Sequence, residues 1–206
     1  MIEKREYSAP EISREEIYRY LGTNDIDSVE NRVEKCLEVI LPQLSYKVCF
    51  AEYPVTVSQN TVDFGFTIEE SRNLAKCLSG CESAVIFVAT VGIGIDRLMS
   101  RYSAISPLDS LIVSAIGTER VEALCDEVFE EFRNRYENLG KIVCPRFSPG
   151  YGDLSLSMQR DIFNVMDVSR NIGVMLGENM IMSPIKSVSA IVGIRNGENN
   201  ENSRLP

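Results

Sequence analysis

Helical periodicity dominates the first part of the chain, up to about residue 45. Ser13 and Glu16 make a capping-box pattern ahead of a short apolar segment, and Gly22 supplies a stop signal for that helix. Apolar positions recur at helical spacing again over residues 28–43. We therefore expect residues 1–45 to form a helical N-terminal part built from two helices.

The middle of the chain changes to the two-residue period of β-strands. Residues 46–57 and 61–68 alternate between apolar and polar positions and are rich in β-branched side chains, so we predict two strands joined by a hairpin turn. Residues 69–79 then predict a helix. The segment 83–92 is short and apolar throughout, which is typical of a strand buried on both faces.

A glycine-rich turn, Gly92-Ile93-Gly94, follows that strand. Arg97 stands where a dinucleotide-binding loop would have its third glycine, so the pattern only weakly supports a phosphate site. We expect a tight strand-to-helix turn in which the glycines allow close backbone packing.

The longest periodic element runs from about residue 108 to 138 and begins after Ser106-Pro107, a cap followed by a first-turn proline. Its second half, residues 119–137, carries seven acids against three arginines, which mostly form a solvated face. Glu122 differs because it lies beside the apolar stripe. Periodicity alone leaves open whether it faces solvent or a cleft.

The C-terminal third mixes short elements. Its pattern predicts a strand (141–147), a rigid loop (148–153), a short amphipathic helix (155–166), two strands (172–182 and 186–194) and a disordered polar tail (about 197–206). Isolated helices mixed with paired strands favour an α+β fold, with a twisted and largely antiparallel sheet and flanking helices. We expect one domain over residues 1–206.

Composition narrows the class of protein. No apolar run approaches the roughly 18 residues that a membrane span needs. The N-terminus is too charged for the apolar core of a signal peptide. We therefore expect a cytoplasmic protein without a membrane association.

Charge and residue types exclude several functions. The net charge is −9, and the whole excess lies before Arg146, because six Lys and Arg balance six Asp and Glu from there onward. Without a basic cluster, nucleic acid is not an expected partner. The chain has no histidine, which excludes Ser–His or Cys–His catalysis and His-ligated metal. The six cysteines are scattered without a CxxC pair, so we expect structural roles for them.

The loop from Arg146 to Tyr151 carries the strongest chemical signal. Pro149-Gly150 is a turn signal, since proline sets the backbone before a glycine that tolerates positive φ. Arg146 offers a bidentate grip on a carboxylate, and Tyr151 offers an aromatic face. On spacing alone, a ligand-binding loop and a decorated surface turn both remain open.

Ordered motifs in this region resemble a known family. RFSPGYGD, then IFNVMD, then IGVMLGENMIMSPIKSVSA are similar to the signature of the activation domain of cobalamin-dependent methionine synthase. The resemblance covers residues 141–194 closely, while the upstream glycine turn and acidic helix resemble short, free-standing relatives more loosely. Several motifs in one order are more specific than the RxxPGY motif alone.

The resemblance implies a function that composition does not. In the family, this domain binds S-adenosylmethionine (AdoMet) and presents its methyl group to a cobalamin that another domain carries. An electron from a flavodoxin-type donor and the AdoMet methyl group together restore methylcobalamin after accidental oxidation. The implied cofactors are AdoMet and a partner's cobalamin, and the implied partners are a cobalamin-binding synthase subunit and that electron donor.

The resemblance also implies roles for individual residues. Arg146 would grip the AdoMet carboxylate, backbone groups around Ser148 and Gly150 would contact the ligand, and Tyr151 would pack beside it. The acidic residue of the upstream helix aligns with Glu122, which would suit the ligand's amino group, with Glu119 as the second choice. No catalytic residue and no metal ligand is expected.

Three departures from the family pattern bear on these roles. Gly152 stands where full-length synthases usually carry proline, the later strands of the family do not follow Ile194, and the family's N-terminal acidic ligand has no clear counterpart. These departures predict either weaker AdoMet binding or a pocket that a partner completes.

Our leading hypothesis is an accessory reactivation subunit of a split methionine synthase (homocysteine methyltransferase) system, without catalytic activity alone. Two alternatives remain: a corrinoid-protein interaction module that no longer binds AdoMet, and a stand-alone AdoMet-dependent methyltransferase.

Overall fold

The fold combines seven α-helices and ten strands in the residues that the computed structural model describes, 1–23 and 25–197. The strands are β1 (Glu3–Tyr7), β2 (Tyr46–Pro54), β3 (Thr56–Val57), β4 (Thr61–Asp63), β5 (Ile68–Glu70), β6 (Ser83–Thr90), β7 (Lys141–Val143), β8 (Met175–Leu176), β9 (Met182–Ser183) and β10 (Ser187–Asn196). The helices are α1 (Arg14–Leu21), α2 (Glu30–Ile40), α3 (Arg72–Cys77), α4 (Gly94–Ser103), α5 (Pro107–Glu137), α6 (Met158–Met166) and α7 (Val168–Ile172).

The main sheet has five strands in the order β1-β2-β6-β10-β7, and every neighbouring pair is antiparallel. Helices α1, α2, α4 and α5 pack on one face, and α3, α6 and α7 pack on the other. The predicted α+β fold with a largely antiparallel sheet is therefore confirmed. Strand β6 lies at the centre and contributes alternate residues to both cores, as its uninterrupted apolar pattern predicts.

The N-terminal part confirms both predicted helices and adds a strand. The Ser13 hydroxyl accepts a hydrogen bond from the Glu16 backbone N–H at 3.3 Å, and Gly22 ends α1 with φ +66°. The prediction of an entirely helical part was wrong at its start, because residues 3–7 form β1 at the sheet edge. This segment, EKREY, is exposed and charged, so it lacks the apolar alternation that marks a half-buried strand.

The C-terminal third also differs in detail. The predicted strand 172–182 is instead a hairpin, in which β8 pairs with β9. The predicted strand 141–147 is shortened to β7, and Phe147 joins the sheet through a single bridge to Ile191. Residues 198–206 of the predicted tail lie outside the described residues.

The glycine turn after β6 is a packing feature, as expected. Gly92 has φ +84°, and a Cβ added to Gly94 would lie 2.6 Å from the Gln43 carbonyl oxygen. Glycine is therefore required where α4 begins against the end of the N-terminal helical part. Within the described residues, the structure contains no helix with the length and apolar character that a membrane crossing needs.

Candidate functional site

A cavity of about 350 Å³ opens where the loop 146–151 passes the beginning of β10. It lies between α5, α6 and the β8–β9 hairpin. Its lining residues are Glu122, Arg146, Phe147, Ser148, Pro149, Tyr151, Gln159, Met182, Ser187, Val188 and Ser189.

The loop is held by its own turns. Gly150 has φ +91°, a conformation that favours glycine, and its N–H donates to the Leu154 carbonyl at 3.0 Å. The Tyr151 N–H donates to the Ser148 carbonyl at 3.1 Å. The Pro149-Gly150 signal thus produces the predicted tight loop. Gly150 shapes this loop without itself lining the cavity, whereas Ser148 and Tyr151 line it.

A carboxylate also ties the loop to the rest of the fold. Asp153 accepts hydrogen bonds from the backbone N–H groups of Arg72 at 2.9 Å and Asn73 at 3.2 Å, and from the Ser71 hydroxyl. These groups stand at the N-terminus of α3, where an anion is favoured. The hydrogen bond from Ser71 contributes most to lowering the pKa of the Asp153 carboxyl, and the two backbone hydrogen bonds lower this pKa further.

Arg146 occupies one end of the cavity beside two acids. Its Nη2 lies 3.3 Å from the Glu122 carboxylate and 2.9 Å from the Asp126 carboxylate. Its side chain is 25% exposed. Burial on its own would lower the pKa of the guanidinium, but the neighbouring acidic groups Cys125, Glu122 and Asp126 raise it overall. Arg146 therefore stays charged in a half-buried position.

Both ion pairs of Arg146 use the same nitrogen. In the part of the chain that the structure describes, Nε and Nη1 enter no hydrogen bond or ion pair. Arginine binds a carboxylate in bidentate fashion through the parallel N–H groups of Nε and Nη2 or of Nη1 and Nη2, so a bidentate ligand would share Nη2 with the two acids.

The two acids proposed for the ligand's amino group have different surroundings. The Glu122 side chain is 38% exposed and lines the cavity. Glu119 is only 3% exposed, accepts a hydrogen bond from the Ser13 N–H at 2.9 Å and pairs with buried Arg120. It lines a separate cavity of about 340 Å³ beside α1, whose lining also includes Glu122 and Arg146. Of the two glutamates, only Glu122 lines the cavity beside the loop 146–151.

Sequence reasoning did not assign three polar residues of the cavity, Gln159, Ser187 and Ser189. Gln159 is 6% exposed, and its Oε1 has no hydrogen-bond partner among the described residues. The sequence contains a pattern that could have singled out Gln159, because this residue lies three and four positions before Ile162 and Phe163, on the apolar face of α6. A polar residue on that face is unusual enough to be a candidate for function.

The structure also locates the groups that could ligate a metal ion or react as thiols. Within residues 1–23 and 25–197, no group of three or more Cys, Asp or Glu could hold a metal ion. All six cysteines are free thiols, and all except Cys77 are buried. Burial raises the pKa of Cys49 and Cys125 to about 12, so these thiols stay protonated at neutral pH.

Comparisons with known proteins place the chain in a family. A comparison with curated protein sequences gave no match. Among solved structures, the fold is similar to the "Crystal Structure of the MetH Reactivation Domain bound to AdoHcy", with a TM-score of 0.65 and 16% sequence identity over 94% of this chain and 78% of that one. The family model described as "Vitamin B12 dependent methionine synthase, activation domain" matches residues 74–198, more than half of the chain. The chain therefore belongs to the family of vitamin B12-dependent methionine synthase activation domains.

Proposed function

We propose that this chain binds AdoMet in the cavity beside the loop 146–151. The observation that carries the proposal is the charge arrangement at Arg146 and Glu122, because an amino acid ligand presents a carboxylate and an ammonium group side by side. Arg146 can offer the carboxylate its unpaired Nε–H or Nη1–H together with the parallel Nη2–H, for which the ligand competes with Glu122 and Asp126. Glu122 then supplies a partner for the ammonium group. The solved relative carries AdoHcy, which contains the same amino acid end.

The loop supplies the remaining contacts in this proposal. Tyr151 is exposed at the cavity, where its ring face would attract the sulfonium cation by about 0.5–2 kcal/mol. Ser148 lines the same wall, and Gly150 keeps the backbone in the shape that brings both residues to the ligand. Orientation is therefore the contribution of the protein, while the reactive methyl group belongs to the ligand.

We infer that the bound methyl group is delivered to a cobalamin on a partner protein. AdoMet would supply that methyl group by breaking its S–CH3 bond and would leave as S-adenosylhomocysteine, while a flavodoxin-type donor would supply the one electron that the oxidised cobalt requires. The chain has no histidine, so it contributes no imidazole ligand to the cobalt. The proposed role is that of a reactivation subunit beside a separate cobalamin-binding subunit of methionine synthase.

Calorimetric titration with AdoMet tests the binding step. We expect Arg146→Ala to weaken AdoMet binding about 10- to 100-fold, because hydrogen bonds to a charged group contribute about 1.5–3 kcal/mol. Arg133→Ala is the matched control, since Arg133 lies on α5 in exposed ion pairs away from the cavity. If the wild-type protein does not bind AdoMet, alone or with its cobalamin-binding partner, the proposal is wrong.

A reactivation assay tests the delivery step. The partner is prepared with oxidised cobalamin and a reduced flavodoxin-type donor, and its cobalt spectrum is followed. We expect methylcobalamin to appear only when both the wild-type chain and AdoMet are present. Stable association with the partner without any effect of AdoMet would favour a docking module instead. Methyl transfer to another acceptor without cobalamin would favour a stand-alone methyltransferase.

A further inference from the structure

One edge of β10 is left uncovered beside the cavity. Strand β6 pairs with β10 from Ser187 to Ile194, but on the opposite edge β7 pairs only with residues 194–196. Phe147 adds a single bridge at Ile191. Among the described elements, no strand pairs with this edge at residues 187–189.

The direction of the backbone groups at this edge follows from the hydrogen bonds around it. Ile191 donates to the Phe147 carbonyl at 2.7 Å and accepts from the Phe147 N–H at 2.9 Å, so its polar groups point away from β6. Gly193 points the same way, because its carbonyl accepts from the Cys144 N–H at 2.8 Å. Lys186 points in the opposite direction, since its carbonyl accepts from the Val91 N–H at 3.2 Å.

Backbone groups of a strand alternate between its two edges from one residue to the next. Ser189 is two residues before Ile191, so its N–H and C=O also point away from β6, and Ser189 lines the cavity. The cavity wall therefore includes a backbone donor and a backbone acceptor side by side.

A side chain completes this polar wall. The Gln159 carboxamide lies next to Ser189, with Nε2 at 3.5 Å from the Ser189 hydroxyl, while Oε1 has no partner among the described residues. Exchanging the two ends of the amide would leave a nitrogen unpaired instead of an oxygen. Since buried polar groups in folded proteins are normally hydrogen-bonded, this carboxamide indicates a polar ligand group.

We propose that Gln159 and the open edge of β10 at Ser189 form the subsite that recognises the adenine base of the ligand. The inference rests on the proposed function, in which Arg146 and Glu122 hold the amino acid end. Adenine presents an amino donor between two ring-nitrogen acceptors, and glutamine pairs with such an edge through both ends of its amide. A strand edge offers the same alternation of donor and acceptor.

The apolar parts of the cavity fit the same assignment. Phe147 and Met182 line it together with Gln159 and Ser189. An aromatic ring and a polarisable thioether suit the faces of a planar base, while the amide and the strand edge suit its rim. Pockets for small molecules commonly combine apolar walls with a few polar groups that fix orientation.

Binding of two ligands that differ only in the base tests the proposal. The probes are S-adenosylhomocysteine and S-inosylhomocysteine, in which a carbonyl replaces the amino group of the base. We expect the wild-type protein to prefer the adenosyl ligand about tenfold or more, since one unmet polar group costs about that factor. Equal binding of the two ligands by the wild-type protein would overturn the proposal, and this measurement depends on no variant.

Variants of α6 sharpen the test. We expect Gln159→Met to weaken the adenosyl ligand about tenfold and the inosyl ligand little, so that the preference falls toward one. Asn164→Met, on the exposed face of the same helix, should keep the wild-type preference. A purely structural role for Gln159 would weaken both ligands equally and leave the preference unchanged, which contradicts the proposal.

If the wild-type protein binds neither ligand, the proposed function fails and the subsite fails with it. If Gln159→Met binds both ligands as the wild type does, only the subsite fails.

Discussion

Two ion pairs that involve glutamates of α5 have the same chemistry and opposite surroundings. Glu119 and Arg120 are 3% and 0% exposed, and their polar atoms are engaged by the N-terminal segment. Glu122 and Arg146 are 38% and 25% exposed in their side chains and border a cavity. Burial and existing partners, not residue type, therefore decide whether a charge pair is committed to the fold or stays accessible at a cavity.

The buried pair is a clamp between α5 and the chain before α1. Arg120 donates to the Pro10 carbonyl at 2.7 Å and to the Glu11 carbonyl at 2.6 Å, while Glu119 accepts from the Ser13 N–H. Burial on its own would lower the pKa of Arg120, but the adjoining Glu119 raises it overall. Because Glu119 and Arg120 already make these hydrogen bonds within the fold, their side chains have few free donors or acceptors for a ligand.

The largest effect is expected from breaking the clamp. Arg120→Ala leaves the Glu119 carboxylate buried without its counterion and should lower the free energy of unfolding by about 3–5 kcal/mol. Denaturant titration followed by circular dichroism measures the change. Arg146→Ala is the matched comparison and should cost about 1 kcal/mol or less, because its pairs are partly exposed. Equal destabilisation by the two variants would contradict the structural difference between the buried Arg120 pair and the partly exposed Arg146 pairs.

A second effect concerns the shape of the Arg146 guanidinium. Arg146→Lys keeps the positive charge but loses the planar pair of donors, so we expect about tenfold weaker AdoMet binding with little change in stability. Calorimetric titration measures the affinity, and thermal unfolding without ligand provides the control. An affinity equal to that of the wild type would mean that the arginine acts only as a point charge.

Neutralising each acid in turn separates the two glutamates. Glu122→Gln should weaken AdoMet binding severalfold, up to about tenfold, and leave stability nearly unchanged, since one charge-assisted hydrogen bond becomes neutral. Glu119→Gln should lower stability more than affinity, because Arg120 then lacks its counterion in a buried site. Both properties are measured on both variants. The reverse pattern would make Glu119 the ligand-binding acid.

The smallest effect is expected at Asp126, the exposed partner of Arg146. Its side chain is 70% exposed, so Asp126→Asn should change the free energy of unfolding by only about 0.5 kcal/mol or less. AdoMet binding should become slightly tighter, about two- to threefold, because one competitor for the guanidinium is removed. A clear loss of affinity would instead place Asp126 among the ligand contacts.

Local signals predicted much of this fold. The Ser13 cap, the Gly22 stop and the Ser106-Pro107 start depend on neighbouring residues only, and the structure confirms each of them. The central strand β6 was predictable because burial on both faces leaves an uninterrupted apolar segment. The charged strand β1 was not, since its pairing with β2 comes from the sheet edge and not from its own pattern.

The features of the candidate site also fall into two groups, those that the sequence predicts and those that it does not. Pro149-Gly150 determines a tight loop by backbone chemistry, and the order of the motifs indicates the family. The sequence alone therefore singled out Arg146, Ser148 and Tyr151, which the structure places in the cavity lining, while their contacts with a ligand stay a prediction. Whether Glu119 or Glu122 lies beside Arg146 depends on how α5 packs against α1 and the loop.

Only the tertiary structure decided the remaining features of the cavity. The open edge of β10 exists because β7 is short, and the position of Gln159 matters because α6 packs beside Ser189. The physical reason is that caps and turns are contacts between residues a few positions apart. Burial, strand pairing and charge partners join residues far apart in the chain, which no local pattern records.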